Sequence, residues 1–312
     1  MPAFMTLEEY AKGDGVSPLT KATAEIFADT SDVLRALPFD TVTGGAYRYQ
    51  LENTLPGIAF RGVNESFTRD TSVENPQVES LFTAGGEAEI DNFLLRVHGE
   101  ARRGREENRK MKAMARAVTD VIMTGDNTTE PREFDGLQRR LTGTQKIANS
   151  GASGGGALSL AKLDEAIAQV VEPTHIIMPR KFRDVYFTGL MRNQTLMGNV
   201  QLSKDDLGRK VMSYNGLPML VGYEVGPDQN LLDFNEVGSG GGGAVTCSFY
   251  IVSFKPGHVF GIEGSAMITK DLGELQTKPA KATRVEWDVG MVIEHPWAAA
   301  RLTSITDAAI VA

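Results

Sequence analysis

One long run of regularly spaced residues constrains this chain more than any other feature. Between Leu94 and Ile122, small or apolar residues recur at alternating steps of three and four, the spacing of one face of an α-helix. Gly125 supplies a C-terminal stop signal. The pattern predicts a helix over about 89–124, on the order of 50 Å long at 1.5 Å per residue. The face consists of Leu94, Val97, Ala101, Gly104, Asn108, Met111, Ala115, Val118 and Ile122.

The predicted length exceeds what a compact domain with one core usually needs. We therefore expect the helix to cross an open, flat molecule, although an ordinary amphipathic core helix would show the same periodicity. The other faces carry Arg96, Arg102, Arg103, Arg105, Arg109, Lys110, Lys112 and Arg116, against Glu100, Glu106 and Glu107. This basic surface is either simply solvated, or in contact with acidic loops of neighbouring subunits, or in contact with nucleic acid phosphate.

Composition excludes several classes of function. The chain has 312 residues, enough for one large domain or two linked ones, and its net charge of −8 argues against a free-standing nucleic-acid binder. Cys247 is the single cysteine, so no intramolecular disulfide can form, and its apolar surroundings predict a packed, inert thiol. The four histidines are scattered, and we expect no metal and no cofactor. The sequence contains neither a membrane-spanning run nor a signal-peptide pattern, so we expect synthesis in a cytoplasm.

Residues 1–40 are predicted to form a mobile arm with short helices. Thr6 and Glu9 have the spacing of a capping box, and Ser17-Pro18 has the pattern of an N-cap followed by a first helical proline. A helix is predicted to restart at Ser31-Asp32 and to end before Pro38.

Residues 41–86 are predicted to form an extended excursion. Tyr47, Tyr49 and Leu51 alternate with polar residues, as in a two-faced strand. A turn-rich tip contains Pro56, Gly57, Gly62 and Asn64, and a second extended run through Val78, Leu81 and Phe82 is closed by Gly85-Gly86. A two-stranded ribbon is marginal alone. Our hypothesis is that it lies on a neighbouring subunit; the alternative is a hairpin folded back on its own domain.

The C-terminal part reads first as α/β and then as β. Ser159 is a candidate N-cap for a helix that stops before Pro173, and a buried strand, 175–178, separates it from a helix around 182–190. Asn215-Gly216 is a strong hairpin-turn signal. Apolar strands are predicted over 247–254, 258–262, 284–293 and 297–305.

No motif commits the chain to catalysis. Gly238, Gly240 and Gly243 match G-x-G-x-x-G, with Glu263 near the position of a ribose-binding acid. That motif should open a helix, whereas a β-rich run follows, so a flexible loop tip is the preferred interpretation. The sequence lacks a phosphate-binding P-loop, a nucleophile elbow and an H-E-x-x-H zinc motif. The chain is not expected to be an enzyme.

The order of these parts resembles that of tailed-bacteriophage major capsid proteins, whose α+β fold is shared with encapsulins and the herpesvirus capsid floor. Phe134, Gly136 and Leu137 resemble the start of the family's axial domain. The resemblance implies an N-terminal arm over 1–40, an extended β-hairpin loop over 41–86, a peripheral domain with a long spine helix over 87–133, an axial domain with peripheral excursions over 134–250, and a return through the peripheral domain over 251–312.

The resemblance also implies the function. Copies would form pentamers and hexamers that tile an icosahedral head around double-stranded DNA, held without sequence-specific binding and without a membrane. The extended loop would overlap the adjacent subunit. The protein would reside in the virion after assembly in the host cytoplasm, with a portal and decoration proteins as further partners. Only about 40 residues precede the loop, so a separate scaffolding protein is expected.

Some relatives cross-link a loop lysine to an asparagine of a neighbour. This chain has no lysine between Lys21 and Lys110, so the resemblance implies non-covalent contacts here. The candidate intersubunit residues are Arg48, Arg61, Glu65, Arg69, Arg102, Arg103, Arg105 and Arg109.

Two alternatives remain open. An encapsulin-type nanocompartment has the same fold, and particles that contain a cargo enzyme rather than DNA would identify it. A nucleotide-using α/β enzyme with the Gly238–Gly243 loop is the second, and failure to bind any dinucleotide resin would remove it.

Overall fold

The computed structural model describes residues 4–7, 9, 18–54, 58, 60–67, 73–192, 200–204, 210–223, 230–265 and 267–311. Within them the chain forms a five-stranded sheet, an eight-stranded sheet and a separate two-stranded hairpin. The predicted cap at Ser17, the tip residues Pro56 and Gly57, and the candidate contact Arg69 lie outside these residues.

The predicted short N-terminal helices are present, but they are not a mobile arm. Helix α1 spans Pro18–Thr30 and α2 spans Asp32–Ala36, with the Ser31 hydroxyl accepting a hydrogen bond from the Leu34 amide. Phe27, Val33 and Leu34 are fully buried in the main core, because the apolar face of these helices has a partner inside the same chain. The capping box is confirmed, since the Thr6 amide donates to Glu9 at 2.8 Å.

The long helix predicted over 89–124 is shorter than expected and is interrupted. Residues up to Asp91 belong to a strand; α3 then spans Asn92–His98 and α4 spans Glu100–Thr124. Gly99 separates them with φ of +72°, in the left-handed region that glycine adopts without a steric penalty. The 25 residues of α4 are about 37 Å long.

The predicted inner face is buried only in its C-terminal half. Met111, Ala115, Val118 and Ile122 are buried. By contrast, Val97 is 58% exposed. The first half of the stripe therefore has no core to face among the described residues.

The five-stranded sheet is organised around one long strand. Strand β14 pairs with β4 along one edge and with β12 and β13 along the other, and β1 extends the sheet by a parallel pairing with β12. Gly85-Gly86, predicted to close the extended run, lies inside β4 opposite Glu286 and Val285. The strands are β1 (Phe39–Thr41), β4 (Phe82–Asp91), β12 (Val259–Glu263), β13 (Ile268–Glu274) and β14 (Ala280–Ile293).

The predicted hairpin is present between these elements. Strands β2 (Ala46–Thr54) and β3 (Val73–Ser80) pair antiparallel, with Tyr47 opposite Glu79 and Arg48 opposite Val78. One residue, Leu81, separates β3 from β4.

The eight-stranded sheet lies on α6 (Leu160–Gln169) and on a π-helix (Phe182–Phe187) that continues as α7 (Thr188–Arg192). Its turn at Asn215-Gly216 has positive φ at both residues, as the hairpin signal predicts. Residues 297–305 were expected in the peripheral return, but β15 instead pairs with β11 in this sheet. The strands are β5 (Lys146–Ala148), β6 (His175–Ile177), β7 (Val200–Lys204), β8 (Lys210–Tyr214), β9 (Leu217–Leu220), β10 (Glu236–Val237), β11 (Ala244–Val252) and β15 (Ala299–Thr306).

The two largest cores of the described residues differ in what they join. The first contains α1, α2, the C-terminal half of α4 and Trp287, whose ring meets Phe27 edge-on at 5.7 Å, and it also includes Ile177, Tyr250 and Ala299 of the eight-stranded sheet. The second contains Phe182 and Phe249, whose ring centroids are 5.0 Å apart. A short helix, α5 (Leu137–Arg140), leads from α4 toward the second core.

The glycine-rich run 238–243 is a loop between β10 and β11, as its context predicts. It is not simply a flexible tip, because it packs against a second glycine-rich loop: the Gly154 amide donates to the Gly241 carbonyl at 2.8 Å. A Cβ atom on Gly240 would lie 2.3 Å from the Gly151 carbonyl oxygen, so a side chain there would force the loops apart.

Candidate intersubunit surface

The base of the β2–β3 hairpin is anchored on its own chain. The Tyr49 hydroxyl donates to the Ile293 carbonyl at 3.1 Å, and the Tyr47 ring meets Phe260 edge-on at 5.5 Å. Burial is the largest cause of the raised pKa of both tyrosines. The expectation that this ribbon finds no partner in its own chain is therefore wrong for its base.

An ion pair fixes the base from the other strand. Arg140 of α5 donates to both carboxylate oxygens of Glu79, at 2.5 and 2.7 Å, in a bidentate arrangement. Both side chains are about four-fifths buried, with 16% and 22% exposed. Bidentate geometry fixes orientation as well as distance, so the direction in which the hairpin leaves the subunit is set by α5.

The tip of the hairpin is apolar and has no packing partner among the described residues. Ile58, Phe60 and Val63 are between 93% and 103% exposed, and Phe67 is 65% exposed. We call these four residues the apolar tip. Burying such a side chain is worth about 1.5–3 kcal/mol relative to leaving it in water. Four such exposed apolar side chains on one loop mark a candidate interaction surface.

The polar residues of the tip give it local order. The Arg61 guanidinium donates to the Glu65 carbonyl at 3.0 Å and lies 5.2 Å from the centre of the Phe67 ring. The Glu65 carboxylate accepts the Gly62 amide at 2.8 Å. Two of the candidate contact residues thus shape the tip, while their charges stay exposed to solvent.

A cleft of about 500 Å³ opens between α4, β4 and the loop that follows α4. We call it the spine cleft. Its walls include the side chains of Met114, Val121 and Phe134, and its rim carries both signs of charge, Lys110 and Arg132 with Glu130 and Glu133. On α4 the small residues Ala113 and Ala117 face this space and are exposed. An apolar side chain of another molecule can therefore approach the helix backbone closely.

The candidate arginines of α4 differ in how far they are already paired. Arg103 is 15% exposed and binds Glu107 at 2.9 Å and Asp271 at 2.7 Å, which joins α4 to β13 within one chain. Arg102 and Arg109 both pair with Glu106.

Arg105 and Arg48 are further candidates available to a neighbour, besides Arg61 and Glu65 of the tip. Both are exposed. Neither makes an ion pair with another residue in the described ranges. Arg103 is by contrast a structural link, so its nomination as an intersubunit contact loses its support.

Sequence reasoning missed the groups that define this surface best. The tip residues Ile58, Phe60, Val63 and Phe67 lie within ten residues of turn-rich sequence, and apolar residues in such a segment were a readable signal. The spine cleft and the Arg140–Glu79 pair had no such signal. Arg140 and Glu79 are 61 positions apart, and the walls of the cleft come from elements that are separate in the sequence.

The remaining chemistry of the described residues is structural. Cys247 is fully buried, and burial raises the pKa of its thiol, so it is inert as predicted. The described residues contain no group of three metal-ligating side chains. Over the same ranges no helix has the length and apolar character needed to span a membrane.

Comparison with known proteins gives a consistent picture. A family model described as major capsid protein GP7 matches residues 18–161. Comparison with curated proteins finds no match.

Among solved structures, the SrpI encapsulin of Synechococcus elongatus PCC 7942 is similar with a TM-score of 0.62 and 13% identity, over 90% of this chain and 89% of that one. A structure from Mycobacterium phage Bobi has a TM-score of 0.62 at 12% identity, over 88% and 90% of the two chains. The capsid of a native GTA particle has a TM-score of 0.59 at 16% identity, over 86% and 88%. The chain shares one fold with all three.

Proposed function

We propose that this chain, which has the fold of phage capsids and encapsulins, is a major capsid protein. The family match covers the N-terminal helices, the hairpin and the long helix α4, and the shared fold extends over 86% and 88% of the chain. Both findings support a capsid shell protein that assembles with itself. A structural role of this kind favours a protein that is not an enzyme.

At the finer level, we propose pentamers and hexamers that form an icosahedral head around double-stranded DNA. The observation that carries this proposal is the apolar tip. A single subunit leaves Phe60 wholly in water, and a second molecule can cover it without refolding the hairpin. In a shell of identical subunits, the molecule always available is another copy.

The spine cleft is the complementary surface on that copy. It offers apolar walls to Ile58 and Phe60, and its rim of Lys110, Arg132, Glu130 and Glu133 can pair with Arg61 and Glu65 of the incoming loop. Each such contact is small, so the stability of the shell comes from its repetition around closed symmetry.

The other partners follow from the same proposal. We propose a separate scaffolding protein, a portal and decoration proteins, and DNA enclosed without sequence-specific contacts. The exposed Arg105 on α4 is available either to a neighbour or to phosphate. The mature protein would reside in the virion.

Encapsulin-type shell formation is the second candidate, and the observation that favours it is the equal TM-score of the encapsulin structure. The contents of purified particles distinguish a phage head from a nanocompartment. Purified particles that contain nuclease-protected DNA support the phage head, and particles that contain a cargo enzyme support the nanocompartment.

The decisive test is the variant Phe60→Asp. A carboxylate at the tip cannot enter an apolar cleft without a desolvation cost of several kcal/mol, so we expect folded subunits that no longer form particles. Sedimentation velocity and negative-stain imaging measure assembly, and circular dichroism verifies folding. Val185→Asp is the matched control, since Val185 is an apolar residue 55% exposed on the π-helix. If Phe60→Asp subunits assembled as efficiently as the wild type, the proposed role of the tip would be wrong.

A further inference from the structure

Two histidines stack face to face where the chain passes between its two sheets. The imidazole rings of His258 and His295 have centroids 5.3 Å apart and an interplanar angle of 17°. His258 immediately precedes β12, and His295 follows β14 by one residue. These strands are antiparallel neighbours, with Val259 opposite Ile293.

Each histidine of the pair lies in a segment that connects the two sheets. Residues 253–258 carry the chain from β11 of the eight-stranded sheet to β12 of the five-stranded sheet, and residues 294–298 carry it from β14 back to β15. We call these two connecting segments the crossings. A backbone hydrogen bond joins them, because the Glu294 amide donates to the His258 carbonyl at 2.8 Å. The stacked rings thus hold the two crossings side by side.

The surroundings of the pair favour a neutral His258 ring and an unprotonated Nδ1 atom on His295. His258 is half-buried, and its Nδ1 atom is buried without a hydrogen-bond partner among the described residues. The His295 Nδ1 atom accepts the Trp297 amide at 3.1 Å, which only an unprotonated nitrogen can do. Burial, His295 and Lys255 all lower the pKa of His258, and Glu172 opposes them.

The remaining charged groups do not neutralise a protonated pair. Lys255 is a second cation beside His258, and the Glu172 carboxylate is already bound to it at 2.7 Å. Glu294 is the other acid on this side, and burial raises its pKa. Tyr47 and Tyr49 of the hairpin base face Glu294 and carry no charge at neutral pH.

We propose that His258 and His295 form a pH-sensitive hinge between the two sheets, in which protonation separates the rings and loosens both crossings. Two imidazolium ions stacked at 5.3 Å repel each other in a partly dry site. An opened arrangement that returns His258 to water relieves both this repulsion and the burial of its ring, so the pKa of His258 rises toward the ordinary histidine value near 6.5. Protons therefore bind the opened form preferentially, and acid shifts the population toward it.

The sign and size of the effect follow from linkage. Below about pH 6.5 the opened form takes up protons that the stacked form resists. The ratio of opened to stacked molecules then rises on the order of tenfold per pH unit for each extra proton bound. This inference depends on the contacts of one chain and holds whether or not the chain forms a shell.

Hydrogen exchange of the full chain tests the proposal, with rates corrected for the intrinsic pH dependence of exchange. Between pH 7.5 and 5.5 we expect protection of peptides covering 253–258 and 294–298 to fall on the order of tenfold or more relative to a peptide within β14. The variant His258→Phe keeps an aromatic ring for stacking but cannot be protonated, so this relative loss is expected to disappear.

His98→Gln is the matched control, because His98 is exposed on α3 and should leave the wild-type loss unchanged. If His258→Phe does not fold, His295→Gln at the half-buried partner provides the same measurement. A wild-type protein whose crossings keep their relative protection at pH 5.5 would overturn the hinge. So would a His258→Phe protein that loses protection as the wild type does.

Discussion

His175, at the start of β6, has surroundings that keep its imidazole neutral. Burial and the nearby Arg35 charge lower the pKa of His175 to about 4, from 6.5. The unfolded chain binds this proton below about pH 6.5, whereas the folded chain resists it until about pH 4. Stability is therefore lost as pH falls through this window, by up to about 3 kcal/mol.

We predict that His175→Gln removes most of this acid sensitivity. The measurement is the difference in the free energy of urea unfolding between pH 7 and pH 5. Any packing cost of the substitution is the same at the two pH values and cancels in this difference. His98→Gln, at an exposed site, should retain the wild-type difference. A His175→Gln protein that loses as much stability as the wild type would contradict the assignment.

The hairpin shows, at the scale of an element, which parts of a structure a sequence can predict. The alternation of Tyr47 and Tyr49 gives the strand and its two faces, because side-chain direction in a strand has a local period of two. The bidentate partner of Glu79 is on α5, 61 residues later. Local periodicity carries no information on such a pairing.

We predict that Glu79→Gln loosens the hairpin at its base without unfolding the subunit. The change leaves the partly buried Arg140 guanidinium without its charged partner, a loss on the order of 3 kcal/mol or less at this partly exposed site. Limited proteolysis should then cut residues 46–80 faster, at an unchanged global melting temperature. Glu25→Gln, at an exposed site on α1, is the control. Equal cleavage rates in Glu79→Gln and wild type would show that the pair does not anchor the hairpin.

The long helix shows a second limit of prediction from sequence: a local pattern can look continuous where the backbone is interrupted. Leu94 and Val97 continue the helical spacing of the buried residues in α4, so periodicity alone joins α3 and α4 into one helix. The interruption lies in a single backbone angle at Gly99, and a glycine within a helical pattern is compatible with either outcome. The start of α3 is fixed by the Asp91 carboxylate, which accepts the Phe93 amide at 2.6 Å.

At the scale of the whole molecule, the sequence predicted the order of parts but not every sheet assignment. Strands 284–293 and 297–305 look alike as sequence, yet β14 and β15 lie in different sheets. Their partners are β4 and β11, which are distant in the chain. The sheet to which a strand belongs is decided by its pairing with strands that are distant in the sequence.

We predict that assembled particles, if boiled in SDS, release only the 33.8 kDa monomer. The extended loop has no lysine, so the isopeptide cross-link that the family resemblance suggests for some relatives cannot start there. Gel electrophoresis after reduction measures this directly, with an untreated particle sample as control. A ladder of bands above the monomer that survives reduction would contradict a non-covalent shell.

The single residue between β3 and β4 has a mechanical consequence. Force applied at the far end of the hairpin meets no slack there, because Leu81 joins it directly to a strand bonded to β14 over ten residues. Those ten residue pairs couple β4 to the longest strand of the five-stranded sheet. A pull on the hairpin is thus delivered to the middle of that sheet.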